Sequence, residues 1–213
     1  MNSMKIKLYT FESNRAGGMI ALLLHAKIPF KLKVINIEEW ESKRHKFFGQ
    51  TLPIIKIDGV QYSNELPTLL LIARKCNLLG SSIEDEYLIT NLLYAINDLH
   101  LLILPTFLPE SEEEYKQQNA KIDELINEKL PIYLKSFDKF LGNKKYFLGD
   151  KPCFIDIYMC YFINLLFKHP LRINLMDQVL CENAPNLNNF VISLAENELK
   201  EYYSKYYLIN SPL

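Results

Sequence analysis

The stretch from Gly49 to Glu65 holds the residues whose types and spacing could do chemistry, and that chemistry is recognition of a small extended peptide bearing a carboxylate. Ile54, Ile55 and Ile57 make a short apolar strand, and Asp58-Gly59 is a dipeptide favoured in two-residue hairpin turns. Leu52-Pro53 stands at the strand's entrance, where a residue lacking an N–H belongs at an edge or a bend. A cis Leu52–Pro53 bond would turn the N–H and C=O of Leu52 outward, free to pair with an extended ligand by strand addition. Behind the hairpin, Ser63 or Asn64 is placed to cap a helix with Leu66, Leu69, Leu70 and Ala73 as its apolar face. The free N–H groups and dipole of such a helix start favour an anion beside the strand. The same residues also suit a surface hairpin whose proline merely ends a strand, and both readings stand on these residues alone.

The elements that must position this stretch follow from periodicity. Residues 5–11 alternate polar and apolar and read as a first strand, followed by the polar loop 12–15. Residues 16–27 read as an almost wholly buried helix carrying Met19, Ile20, Leu22, Leu23, Leu24 and Ala26. Alternation resumes over Phe30–Ile37 as a second strand, and Trp40–Lys46 reads as a charged irregular stretch holding the only tryptophan. With the hairpin and a helix from about Glu65 to Cys76, the order is β-α-β then β-β-α, a compact α/β layer with a mixed four-stranded sheet. Near residues 76–84 the character changes, and everything after it is helical. Ile83 to about Leu104 is a long helix ending at Pro105. The acidic run 109–114 opens a second that reaches Leu141, with a kink expected at Pro131. Ile155–Phe167 and Pro185 to about Lys200 complete the set.

Composition narrows the function classes. Twenty-four basic against twenty-five acidic side chains leave a net charge of −1, which argues against a nucleic-acid footprint or a polybasic membrane anchor. Cys76, Cys153, Cys160 and Cys181 show no CxxC and no metal-ligand spacing with the histidines, so they read as reduced, mostly packed thiols and no metal site is expected. The first residues lack a signal-peptide core, and the apolar run 88–104 is broken by Asn91, Asn97, Asp98 and His100. A soluble, cytoplasmic protein is the expectation.

The α/β layer with a proline at the hairpin entrance, the all-helical second half and a series of motifs together resemble the cytosolic glutathione transferases, most closely the sigma class. The motifs are Tyr9 with Arg15-Ala16 six residues on, Trp40, Leu52-Pro53, Ile57-Asp58-Gly59, Ile72 to Lys75, Ile96-Asn97-Asp98 and Phe147 to Asp150 with Asp156. The resemblance covers essentially the whole chain. It implies a thioredoxin-like glutathione-binding domain over residues 1–80 and an all-helical domain over 84–213 carrying the electrophile pocket. It also implies glutathione as co-substrate, an apolar small-molecule electrophile as the second substrate, and a homodimer. Tyr9 would donate to the glutathione sulfur, because a donor that favours thiolate over thiol makes a weak nucleophile usable. Arg15 would add positive charge beside that sulfur, Trp40 would lie against the glycyl end, and Arg44 would pair with the glycyl carboxylate. Gln50, Thr51, Leu52 and Pro53 form the segment along the cysteinyl unit, with main-chain groups of Thr51 and Leu52 facing it. Asp98 would reach the neighbouring subunit's ligand amine. Asp156 matches a folding signature in which Ser or Thr stands three residues earlier; Cys153 there is a poorer cap, at a cost of about 1 kcal/mol.

The chain departs from the family pattern at Asn64-Glu65, where Gln-Ser holds the γ-glutamyl carboxylate. Asn64 still donates, one methylene shorter. Glu65 puts a carboxylate where the ligand's carboxylate should dock. Like charges 4 Å apart repel by about 1 kcal/mol in water and about 4 kcal/mol at an effective dielectric of 20. Alternatively, Glu65 turns away to bridge the γ-glutamyl amine. The loop Glu12 to Asn14 and Gly17-Gly18 depart as well. Three functions follow: a glutathione transferase acting on apolar electrophiles, a binding or structural protein on the same scaffold, and a glutathione-dependent isomerase or peroxidase acting on a lipid. The pocket wall is expected from the loop after Tyr9, from Leu101–Thr106 and from Tyr202–Leu208.

Overall fold

The computed structural model describes residues 4–11, 16–103, 122–167 and 173–206. The chain divides into two compact units, Met1–Leu79 with Glu196–Leu213, and Gly80–Ala195.

In the first unit, β1 (Ile6–Thr10), α1 (Gly17–His25), β2 (Phe30–Val34), α2 (Ile37–Lys43), β3 (Ile54–Ile57), β4 (Val60–Tyr62) and α3 (Glu65–Lys75) follow in order. The sheet runs β2-β1-β3-β4, with β1 parallel to β2 and β3 antiparallel to both β1 and β4. Alternation does what period two requires. Ile6, Leu8 and Thr10 are buried on one face, while Lys7 and Tyr9 lie on the other. α1 is buried along Gly17–Leu23 and packs against α3. The β3–β4 turn has positive φ at both Asp58 (50°) and Gly59 (88°), the geometry for which Asp-Gly is suited. Asp58 also accepts from the Lys5 N–H at 2.8 Å, tying the turn to the start of β1.

Two sequence expectations are corrected here. Residues 40–46 are not irregular. β2 stops at Val34, and Asn36 caps α2 by accepting from the Glu39 N–H at 2.7 Å. Glu38 and Glu39 in the first turn complement the helix dipole, which outweighs the alternation of Ile35 and Ile37. Glu39 also takes Lys33 at 2.5 Å and Lys43 at 2.7 Å, and these hydrogen bonds hold its carboxyl down at about 2. The buried stripe of α3 is Thr68, Leu69, Ile72 and Ala73, with Leu66 and Leu70 only half-buried, so the face is turned by one residue from that expected.

The second unit holds α4 (Ile83–Ile103), a helical stretch from residue 122 that passes through a π turn at Leu125–Lys129 into α5 (Leu130–Leu141), then α6 (Phe154–Phe167), α7 (Ile173–Asn183) and α8 (Pro185–Glu196). Pro131 follows the π turn after one residue, Leu130. A proline lacks the N–H and crowds the preceding turn, and a widened turn relieves both. Pro105 and the acidic run 109–114 lie outside the described residues, and α7 is an element the periodicity reading missed. α6 opens on a dense set of bonds. Asp156 accepts from the N–H groups of Phe147 and Cys153, each at 2.7 Å, and from the Cys153 thiol at 2.9 Å. Burial lifts the Asp156 carboxyl above its ordinary range against these bonds, and burial beside that carboxylate pushes the Cys153 thiol up. The last helix, α9 (Lys200–Lys205), packs on α1 in the first unit, with Leu199 and Tyr202 buried. The C-terminal segment therefore groups with the sheet unit rather than with the helical half that runs from 84 in the sequence reading. Among the described residues no helix is long and apolar enough to cross a membrane.

Candidate functional site

Tyr9, near the end of β1, is half-buried and belongs to an apolar cluster with Ile35, Trp40, Leu52, Ile54, Phe11 and Phe47. The Phe47 ring lies 6.1 Å from that of Tyr9 and stacks on Trp40 at 5.6 Å, while Phe11 meets Trp40 edge-on at 6.0 Å. Three elements far apart in sequence thus meet: β1 brings Tyr9, the cap at Asn36 starts the helix that buries Trp40, and the entrance to β3 brings Leu52. Phe47 links them. Sequence reasoning passed over it, because one apolar residue after a basic run carries no signal of its own.

Beside this cluster the chain makes an unusual turn. Gly49 and Gln50 both have positive φ (75° and 47°), Thr51 is exposed, and the Leu52–Pro53 peptide is cis with both residues buried. Glycine is required at 49 by its left-handed backbone. Around its missing Cβ stand Asn64 Oδ1 at 3.6 Å and the hydroxyls of Ser63 and Thr51, each at 3.8 Å. Residues 49–51 and 63–64 therefore converge, and polar side chains from both meet at one point. Asn64 sits at the N-cap position of α3 with φ 67° and ψ 122°, and its side chain makes no capping bond. Such backbone geometry in a non-glycine residue costs on the order of 1–3 kcal/mol and is concentrated at functional turns. Glu65, half-buried, opens α3, so a carboxylate stands at the helix start. An acidic group there is favoured by the same dipole that favours an incoming anion.

The remaining expected residues are not gathered in the same way. Arg44 pairs with Glu41 at 3.2 Å, three residues away, and both are largely exposed. Asp98 is exposed on α4 in the second unit. Arg15, the loop Glu12 to Asn14, residues 104–106 and residues 207–208 lie outside the described residues. Of the expected pocket wall, Leu101 and Leu102 are exposed and Ile103 is buried. Tyr202 is 1% exposed, packed in the core against Tyr203, and is therefore not a wall residue.

The comparisons with known proteins bear on the same fold. Residues 97–206 match the family described as glutathione S-transferase, C-terminal domain. Hematopoietic prostaglandin D synthase of Gallus gallus is 28% identical over 180 residues, covering 80% of this chain and 88% of that protein. Glutathione S-transferase A2 of Homo sapiens is 31% identical over 196 residues, covering 84% and 85%. Among solved structures, the Pi-class glutathione S-transferase of Onchocerca volvulus superposes with a TM-score of 0.81 at 22% identity, over 97% of this chain and 98% of that one. The architecture is accordingly an N-terminal thioredoxin-like domain of mixed sheet and helices followed by an all-helical domain. With the family match over about half its length and a relative above 30% identity spanning most of it, the chain belongs to the cytosolic glutathione S-transferase family.

Proposed function

We propose that the protein is a cytoplasmic, homodimeric glutathione transferase, nearest to the sigma class, that activates the thiol of glutathione for attack on apolar electrophiles. Family kinship supports glutathione-dependent transferase-type activity in general. The observation that carries the finer reading is the gathering of Tyr9, Trp40 and Leu52 into one cluster beside the polar turn of Gly49, Thr51 and Asn64. The Tyr9 hydroxyl is the donor to the sulfur, Arg15 assists it, and the segment Gln50–Pro53 supplies main-chain groups to the cysteinyl unit. Trp40 supports the glycyl end with Arg44 as its cation, Asn64 and Glu65 flank the γ-glutamyl group, and Asp98 reaches the ligand amine bound to the partner subunit.

Tyr9→Phe tests the assignment. The hydroxyl acts on the thiolate rather than on ground-state binding, so turnover with a chlorinated aromatic electrophile should fall by about tenfold or more while glutathione affinity holds. Unchanged turnover would refute the role of Tyr9. Glu65 favours a second reading, a binding or structural protein in which that carboxylate fills the anion site. Wild-type protein that neither binds glutathione on calorimetry nor turns over any electrophile would put this reading first.

A further inference from the structure

We infer that Lys7 and Lys56 are positioning residues for the chemistry at Tyr9, their paired ammonium groups holding the ring in place and concentrating positive potential where a thiolate forms. The inference rests on the proposed role of Tyr9. Sheet register sets Lys7 directly opposite Lys31 on β2 and opposite Lys56 on β3, so three lysines stand in one row across three strands. Like charges directly opposed destabilise a sheet, and a row of three asks for a reason. Lysines commonly protect sheet edges from pairing with other chains, which accounts for Lys31 on the edge strand β2. It does not account for Lys7 and Lys56, which sit on the two interior strands.

What distinguishes those two is Tyr9. Lys7 Nζ lies 5.2 Å and Lys56 Nζ 5.8 Å from the centroid of its ring, both within reach of a cation–π contact, and Lys56 Nζ is also 6.0 Å from the Phe47 ring. Among the described residues, neither ammonium is bridged to a carboxylate. Among the described residues the charged groups of the sheet nearest the ring are Lys7 on β1, Lys56 on β3 and Lys33 on β2, which is opposite Tyr9 in register. Lys33 is already bridged to Glu39 of α2, the acid on that side. Phe47 forms the neutral wall. The two unbridged cations favour the ionised form of a sulfur bound at the Tyr9 hydroxyl, and they do so through space, without touching the substrate.

The experiment measures kcat/KM for a chlorinated aromatic electrophile against pH at saturating glutathione. It compares wild type, Lys7→Gln, Lys56→Gln and the double variant, with Lys31→Gln as the control from the same row. Each Gln should raise the inflection by about half a pH unit, and the pair by about one unit. Below the inflection the rates then fall about threefold and tenfold, and all profiles converge at alkaline pH. Lys7→Arg should restore the wild-type profile, and Lys31→Gln should leave it unmoved. Added salt should raise the inflection of wild type more than that of the double variant, which keeps only Arg15 beside the sulfur, a readout that needs no substitution at Tyr9. An unmoved inflection in the double variant, with Tyr9→Phe slow, overturns this inference alone. A Tyr9→Phe protein as fast as wild type, or a wild type that does not use glutathione, overturns the role of Tyr9 and this inference with it.

Discussion

Glu65 is the residue on which the two functional readings divide, because the dipole that would dock a ligand's carboxylate at the start of α3 also favours the side chain's own. Replacing it by serine removes a competitor and a repulsion together and restores a small hydroxyl donor beside the free N–H groups. Glu65→Ser should tighten glutathione binding at least about tenfold, or roughly 1.4 kcal/mol, on calorimetry. The gap between wild type and variant should narrow as salt rises, since repulsion at a half-buried site is partly screened. Weaker binding in the variant would instead assign Glu65 to the ligand's amine. At this scale the sequence was informative where chemistry depends on residue type. Tyr9, Trp40 and Leu52 were named before their side chains were known to meet. It was silent where chemistry depends on backbone, since nothing in Gln50 encodes its positive φ, and Asn64 tolerates one without requiring it. Arg44 could be marked as a cation, but its pairing with Glu41 becomes visible only once residues 37–43 are a helix.

The end of α1 shows how an element can be stable and still carry local cost. The helix closes with Lys27 at φ 55°, while Lys27 and Ile28 donate back to the carbonyls of Leu24 and Leu23, each at 2.9 Å. Glycine is the usual occupant of such a cap, and a side chain there costs about 1–2 kcal/mol. Lys27→Gly should therefore stabilise the protein by about 1 kcal/mol, seen as a rise of about 2–4 °C in the melting temperature. Two residues earlier, at the last position of the helix, burial lowers the pKa of His25 below the ordinary 6.5, against the opposing pull of Glu198. A folded value below the unfolded one means that the native state prefers the neutral ring. The contribution of His25 to stability is thus complete above pH 6.5 and is lost as pH falls through that value and below. Denaturant titrations across this window should show wild type weakening with acid and His25→Gln varying less. Strands and long helices were readable from their periods. α2 was missed because alternation through Ile37 hid a cap that Asn36 and the two following glutamates spell out, and α7 because its helical pattern was not separated from the loops around it.

For the whole molecule, the change from period two to a helical pattern near residue 80 made the two halves legible. The return of Glu196 onward to the first unit was not, since α9 looks like any other short amphipathic helix. The apolar residues that neither core absorbs bear on assembly. On α4, Ile83, Tyr87, Tyr94 and Leu101 are 78%, 68%, 53% and 59% exposed. At 3.6 residues per turn their spacings place all four within about 40° of one another around the helix axis. In the first unit Phe48, 79% exposed, follows the buried aromatic cluster on the approach to the Gly49 turn. A stripe of this kind along a 21-residue helix is a surface awaiting cover, and a second copy of the chain is the occupant that the proposed reading supplies. The protein should sediment at twice the 25.0 kDa chain mass at micromolar concentration. Ile83→Lys combined with Tyr94→Lys should weaken that association by at least about tenfold, because exposed aromatic and aliphatic anchors lose their burial and gain a charge to desolvate. Both positions are solvent-facing within the chain, so the variant should keep its helix content and leave no cavity. Phe48→Ser supplies an independent arm from the other unit. If the double lysine variant and Phe48→Ser both sediment as the wild type does, these surfaces are not where the copies meet; if the wild type is itself monomeric, the homodimer is withdrawn.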